Sequence, residues 1–171
     1  MKKILLAIAL LGGAATRSFA QTTTTPTPAS GKFSIGVEAG LPVGTTSDVS
    51  NFAIGGSLKY ELPVSAGTFV SLSAGYTDFL YKSDIKAAIG KSGEGFIPVK
   101  AGLKYYFNAG FYGEGQLGAV FSTESGGGTG FAYAPGIGYS FSGGLDAGVR
   151  YEGWSHDGTT SQVALRLAYR F

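Results

Sequence analysis

Cysteine is absent from the chain, and histidine occurs once, at His156. Without a thiol there is no disulfide framework, thiol-linked lipid anchor, cysteine metal cluster or cysteine nucleophile, so stability has to come from strand pairing and packing. A strong charge of either sign is missing too. The 13 Lys and Arg against 11 Asp and Glu leave a formal net charge of +2, too slight to suggest a nucleic-acid partner. Long apolar runs are lacking as well: the stretch Ile4 to Leu11 is too short to cross a bilayer comfortably. Glycine is in excess, with 29 residues in 171 against a usual share of about 7%, and without the G-x-y period of collagen. Together with 10 Tyr and 12 Phe, this composition points to twisted sheet.

The chain divides into three parts. Residues 1–20 read as a signal peptide: Lys2 and Lys3 form a basic start, Ile4 to Leu11 an apolar core, and Ser18-Phe19-Ala20 a small-residue cleavage site, with cut expected after Ala20. Residues 21–31, QTTTTPTPASG, have no apolar period and alternate Thr with Pro, so a solvated tether is expected. Residues 32–171 are the folded part.

That part alternates apolar and polar or small residues, with the only helix signal around Ile85 to Ile89. Phe33, Ile35, Val37, Ala39 and Leu41 share one face of the first strand, opposite Ser34, Gly36, Glu38 and Gly40. The same parity runs through segments beginning near Phe52, Val70, Ile97, Phe111, Phe131 and Leu145, with Pro135 marking a local break in the ladder. It is clearest at the end, where Val163, Leu165, Leu167, Tyr169 and Phe171 oppose Gln162, Ala164, Arg166, Ala168 and Arg170. Tight connections at Pro63 to Gly67, Asn108 to Ala109 and Ser142 to Gly144 alternate with long ones at Pro42 to Ser50, Leu80 to Gly93 and Thr123 to Thr129. The expected fold is all-β, an eight-stranded antiparallel up-and-down transmembrane β-barrel.

Charge placement decides which face points inward. The polar face carries Glu38, Lys59, Glu61, Lys100, Lys104, Glu114, Asp146, Arg150, Glu152, Arg166 and Arg170, a nearly balanced set suited to an ion-pair network in a narrow lumen. Small neighbours such as Gly36 and Gly136 leave room for these long side chains. The opposite face has no charge in the middle of any strand, as expected where Arg or Lys costs about 2–4 kcal/mol at a bilayer midplane. Aromatics gather toward both strand ends, as interfacial girdles do.

Three motifs are set aside. Gly113-Glu114-Gly115-Gln116-Leu117-Gly118 matches a dinucleotide fingerprint but lies inside a strand, and Gly90-Lys91-Ser92 lacks the glycine a phosphate loop needs at Ile85. Ser155-His156-Asp157 are adjacent in sequence, whereas a hydrolytic triad converges in space. No cofactor or metal is expected. The longest loop carries Lys82, Lys86 and Lys91 around Ile85 and Ile89, a candidate contact for anionic lipid head groups or a partner, or simply a solvated loop.

From Lys32 to Phe171 the chain resembles the small outer-membrane barrels of the OmpA/OmpX type, without a peptidoglycan-binding domain. Val163, Leu165, Leu167, Tyr169 and the terminal Phe171 resemble the signal such proteins present to the barrel assembly machinery. The resemblance implies insertion from the periplasm into the bacterial outer membrane, with both termini periplasmic and outer-membrane lipids as surroundings. The function expected is non-enzymatic: membrane integrity, or display of loops to an extracellular protein or glycan. A narrow pore or small-solute transporter is the alternative, and a lipid-modifying enzyme using His156 a minor one.

Overall fold

The computed structural model describes residues 30–124, 126–155 and 158–171. The signal-peptide and most of the tether assignment, and His156 with Asp157, lie outside the described residues. Eight strands close into one antiparallel barrel in sequence order: β1 (Lys32–Val43), β2 (Ser50–Ser65), β3 (Thr68–Tyr81), β4 (Gly93–Tyr106), β5 (Phe111–Ser122), β6 (Thr129–Ser140), β7 (Leu145–Ser155) and β8 (Thr159–Arg170). β1 closes the ring against β8, from Ser34 beside Arg170 to Val43 beside Ser161. Strands of 11 to 16 residues exceed the roughly 9–11 needed to cross a bilayer when tilted.

Local chemistry sets the turns. At the β4–β5 turn the Asn108 Oδ1 accepts the backbone N–H groups of Gly110 at 3.1 Å and Phe111 at 2.9 Å, an Asx turn that reverses the chain. Gly143 and Gly144 turn β6 into β7 with φ of 91° and 93°, a region that only glycine enters without strain. These turns, with β2–β3, form one rim, which also holds the start of β1 and the end of β8. The other rim carries the longer connections, including α1 (Thr46–Val49) and α2 (Ser83–Ile89). The longest loop is therefore partly helical, and several strands run further into their loops than the sequence pattern predicts, because Thr, Tyr and Phe at those ends still pair across the ladder.

Burial is inverted relative to a water-soluble protein. Val37 is 68% and Leu117 59% exposed, whereas Lys104 is 0% and Glu152 1% exposed. Alternation holds because a one-residue slip would turn every lumen charge into the lipid. Pro135 sits opposite Gly115 on the β5 side, while the β6–β7 ladder skips from Tyr133–Gly153 to Gly136–Arg150. The missing N–H of proline thus breaks one ladder only.

Candidate functional site: a layered lumen and its two mouths

The lumen is built in layers whose members come from distant parts of the chain. In the middle, Arg150 on β7 bonds Glu38 on β1 at 2.6 Å and Glu152 at 2.8 Å, and the same Glu152 takes Lys100 from β4. Arg166 on β8 lies 3.6 Å from Glu38 and donates to the hydroxyls of Ser57 at 2.9 Å and Ser34 at 3.2 Å. One layer nearer the short turns, Lys59 meets Glu114 at 2.5 Å, and Lys104 bridges Glu61 at 2.9 Å and Asp146 at 3.3 Å. The Lys104 ammonium also lies 3.7 Å from the centroid of the Tyr112 ring, a cation–π contact that further compensates its burial.

Ten of the eleven charges singled out from sequence are thereby brought into carboxylate–cation contact. Arg170 is different: at the short-turn rim its guanidinium donates to the hydroxyls of Tyr106 at 2.8 Å and Ser140 at 3.1 Å. Among the described residues it reaches a carboxylate through Ser140, which donates to Asp146 at 2.6 Å. Glycine makes the crowding possible. A Cβ on Gly36 would stand 2.9 Å from the Arg166 guanidinium carbon, and one on Gly136 would stand 2.7 Å from the Arg150 Cβ.

A further layer, aromatic in character, is not apparent from the charge pattern of the sequence. Toward the long-loop rim, Phe79, Phe96 and Trp154 pack with ring centroids 5.0–5.9 Å apart, over Ala53, Val120 and Ala132. All lie on the lumen face. The signal was present in parity: Phe79 continues Ser71, Ser73 and Thr77, and Trp154 continues Arg150 and Glu152.

Between the two mouths the lumen holds cavities of about 20 and about 10 Å³, lined by Lys59, Glu114, Arg150 and Arg166 among others. Each has space for about one water. A recess of about 650 Å³ opens at the short-turn rim beside Tyr106 and Arg170, and one of about 300 Å³ at the long-loop rim above Phe96 and Trp154.

The long-loop rim places the candidate contact residues as follows. The Lys82 N–H donates to the Val49 carbonyl at 3.0 Å, tying the base of the loop to the end of α1. Ile85, half-buried, and Ile89, exposed, both lie on α2 with Lys86; Gly90 ends the helix at φ 75°. Lys91 pairs with Glu124 across to the β5–β6 loop. At the closure seam, Val163, Leu165, Leu167, Tyr169 and Phe171 all face outward, and the Phe171 N–H donates to the Phe33 carbonyl at 2.8 Å.

Charges inside, apolar side chains outside and a closed ring of membrane-length strands form the pattern of a transmembrane barrel. The profile of the family described as outer membrane protein beta-barrel domain matches residues 6–171. The chain belongs to this family. Membership places it in the bacterial outer membrane. Among solved structures, the barrel is similar to Ail, the attachment invasion locus protein of Yersinia pestis, with a TM-score of 0.61, 21% identity, and coverage of 82% of this chain and 97% of that one. It is similar also to the N-terminal barrel of Pseudomonas aeruginosa OprF, with a TM-score of 0.55, 13% identity, and coverage of 82% and 97%. The outer membrane enzyme PagL superposes with a TM-score of 0.58, 13% identity, and coverage of 80% and 98%. At such identities these likenesses speak to fold alone, and the fold hosts both enzymes and other proteins. No curated protein sequence matches the chain.

Proposed function

We propose that this family member is a non-enzymatic barrel whose lumen is closed, and which acts through the surface it displays at the long-loop rim. The observation that carries the reading is the lumen itself: an ion-paired layer and an aromatic layer stacked between two open recesses, with gaps of about 20 and about 10 Å³ among the described residues between them. A solute path would have to break several buried ion pairs at once, each costing about 3–5 kcal/mol when one partner is lost. The lumen charges therefore act structurally. The start of β1 and the end of β8 lie at the short-turn rim, so insertion from the periplasm would leave that rim on the periplasmic side and turn α2 and its neighbours outward.

Lys82, Ile85, Lys86 and Ile89, half-exposed or exposed on and beside α2, offer a mixed apolar and basic surface at that outer rim, suited to a protein or a weakly charged glycan. One Ail structure holds sucrose octasulfate, a heparin analogue. A highly sulfated ligand would meet a net acidic surface here: the described outer-rim residues carry Asp48, Asp78, Asp84, Glu94 and Glu124 against three lysines, one already paired. Proteoliposome swelling in small sugars tests closure, and no swelling is expected. Photo-crosslinking from Ile85 and Ile89 in intact cells tests display. A discrete protein or glycan adduct is expected, and capture of lipid alone would move the reading to membrane integrity.

A further inference from the structure

The short-turn mouth of the lumen is basic without compensation. Its recess of about 650 Å³ is lined by Lys32, Phe69, Tyr106, Ser140 and Arg170, together with the turns between strands, and by no Asp or Glu. The three turns of this rim contain no acidic residue, and neither do residues 1–31, which precede β1. The inward carboxylates one level deeper are already engaged. Glu61 stands opposite Lys32 in the β1–β2 register but is held by Lys104, and Asp146 is held by Lys104, Tyr112 and Ser140.

Arg170 gives this surplus a geometry. Its Nη1 donates to the hydroxyls of both Tyr106 and Ser140, which fixes the guanidinium, while Nε and Nη2 have no acceptor among the described residues. Nε–H and Nη2–H form the two-pronged edge that matches a carboxylate. Arg150 and Arg166 commit the same two nitrogens to Glu152, Glu38, Ser57 and Ser34. Beside Arg170, the half-buried rings of Phe69 and Tyr106 pack edge to face with centroids 5.5 Å apart, and the Lys32 ammonium lies 5.9 Å from the Phe69 centroid. We propose that the short-turn mouth binds a small organic carboxylate with a flat apolar body. The carboxylate takes the open edge of Arg170 within the field of Lys32, and the body lies against Phe69 and Tyr106. The site is at the rim opposite α2 and does not depend on what the long-loop rim displays.

Benzoate titrated into the refolded full chain in micelles is expected to shift the Arg170 Nε–H resonance saturably and to leave those of Arg150 and Arg166 in place. Benzamide, of the same shape without the charge, should bind about tenfold more weakly. Arg170→Lys keeps the charge but loses the fork, so benzoate binding read at the Tyr106 amide should weaken about tenfold as well. No saturable shift at Arg170, equal shifts at all three arginines, equal affinity for benzamide, or undiminished binding in folded Arg170→Lys overturns the proposal. The comparison of the two ligands uses wild-type protein and stands even if the variant fails to fold. A barrel that binds benzoate but captures only lipid from Ile85 and Ile89 keeps this site and loses the display reading; the reverse pair of results removes this site alone.

Discussion

The middle of the lumen and its outer end are filled by opposite chemistry. In the middle, Glu38, Lys100, Arg150, Glu152 and Arg166 are desolvated and repay that cost only through one another, so the layer is strong when complete and fragile when one member is lost. At the outer end, Phe79, Phe96 and Trp154 exclude water by packing, which degrades by degrees with the volume removed. On the proposed reading the two layers divide the labour: the charged layer would close the barrel, and the aromatic layer would shape a surface above it. The outward face supplies a third standard, since there the same charges would be intolerable.

The largest effect should follow from Glu152→Ala, which strands Lys100 and leaves Arg150 with Glu38 alone. A loss of about 3–5 kcal/mol in urea unfolding from vesicles is expected, together with ion leak through the middle layer. Trp154→Ala removes a large packed ring and should cost about 3 kcal/mol. The barrel should stay non-conducting, because the charged layer beneath is intact; leak here equal to that of Glu152→Ala would erase the distinction between the layers. Leu165→Arg, on the outward face of β8, should cost about 2–4 kcal/mol and lower the inserted fraction. Its lumen-facing neighbour changed as Ala164→Ser should be mild, and equal damage from the two would contradict the assigned faces. The smallest effect belongs to Lys91→Ala. Its pair with Glu124 is partly exposed, so unfolding should shift by less than about 1 kcal/mol.

Much of this is legible in the sequence. Period-2 alternation is a backbone property, so faces could be assigned residue by residue, and the excess of glycine beside long charges made sense as room within a narrow ring. Pairing was not legible. Arg150 finds Glu38 from 112 positions away, and Lys59 finds Glu114 from 55, because strand tilt decides which heights coincide and parity carries no height. Arg170 shows the same limit: it lies on the correct face, but at a level where Tyr106 and Ser140 are the available partners. The aromatic layer was missed for a different reason. Phe79 and Trp154 continue the inward parity of Thr77 and Glu152, but as large apolar residues they break the polar pattern of that face. Apolar residues on a polar face look like strand ends when alternation is the only guide.

Single-channel recording in planar bilayers, comparing the wild-type barrel with Glu152→Ala under identical salt, tests the closed lumen most directly. Silence from the wild type and resolved steps from the variant are predicted; steady ohmic steps from the wild type would contradict the closed lumen and make these charges the lining of a pore.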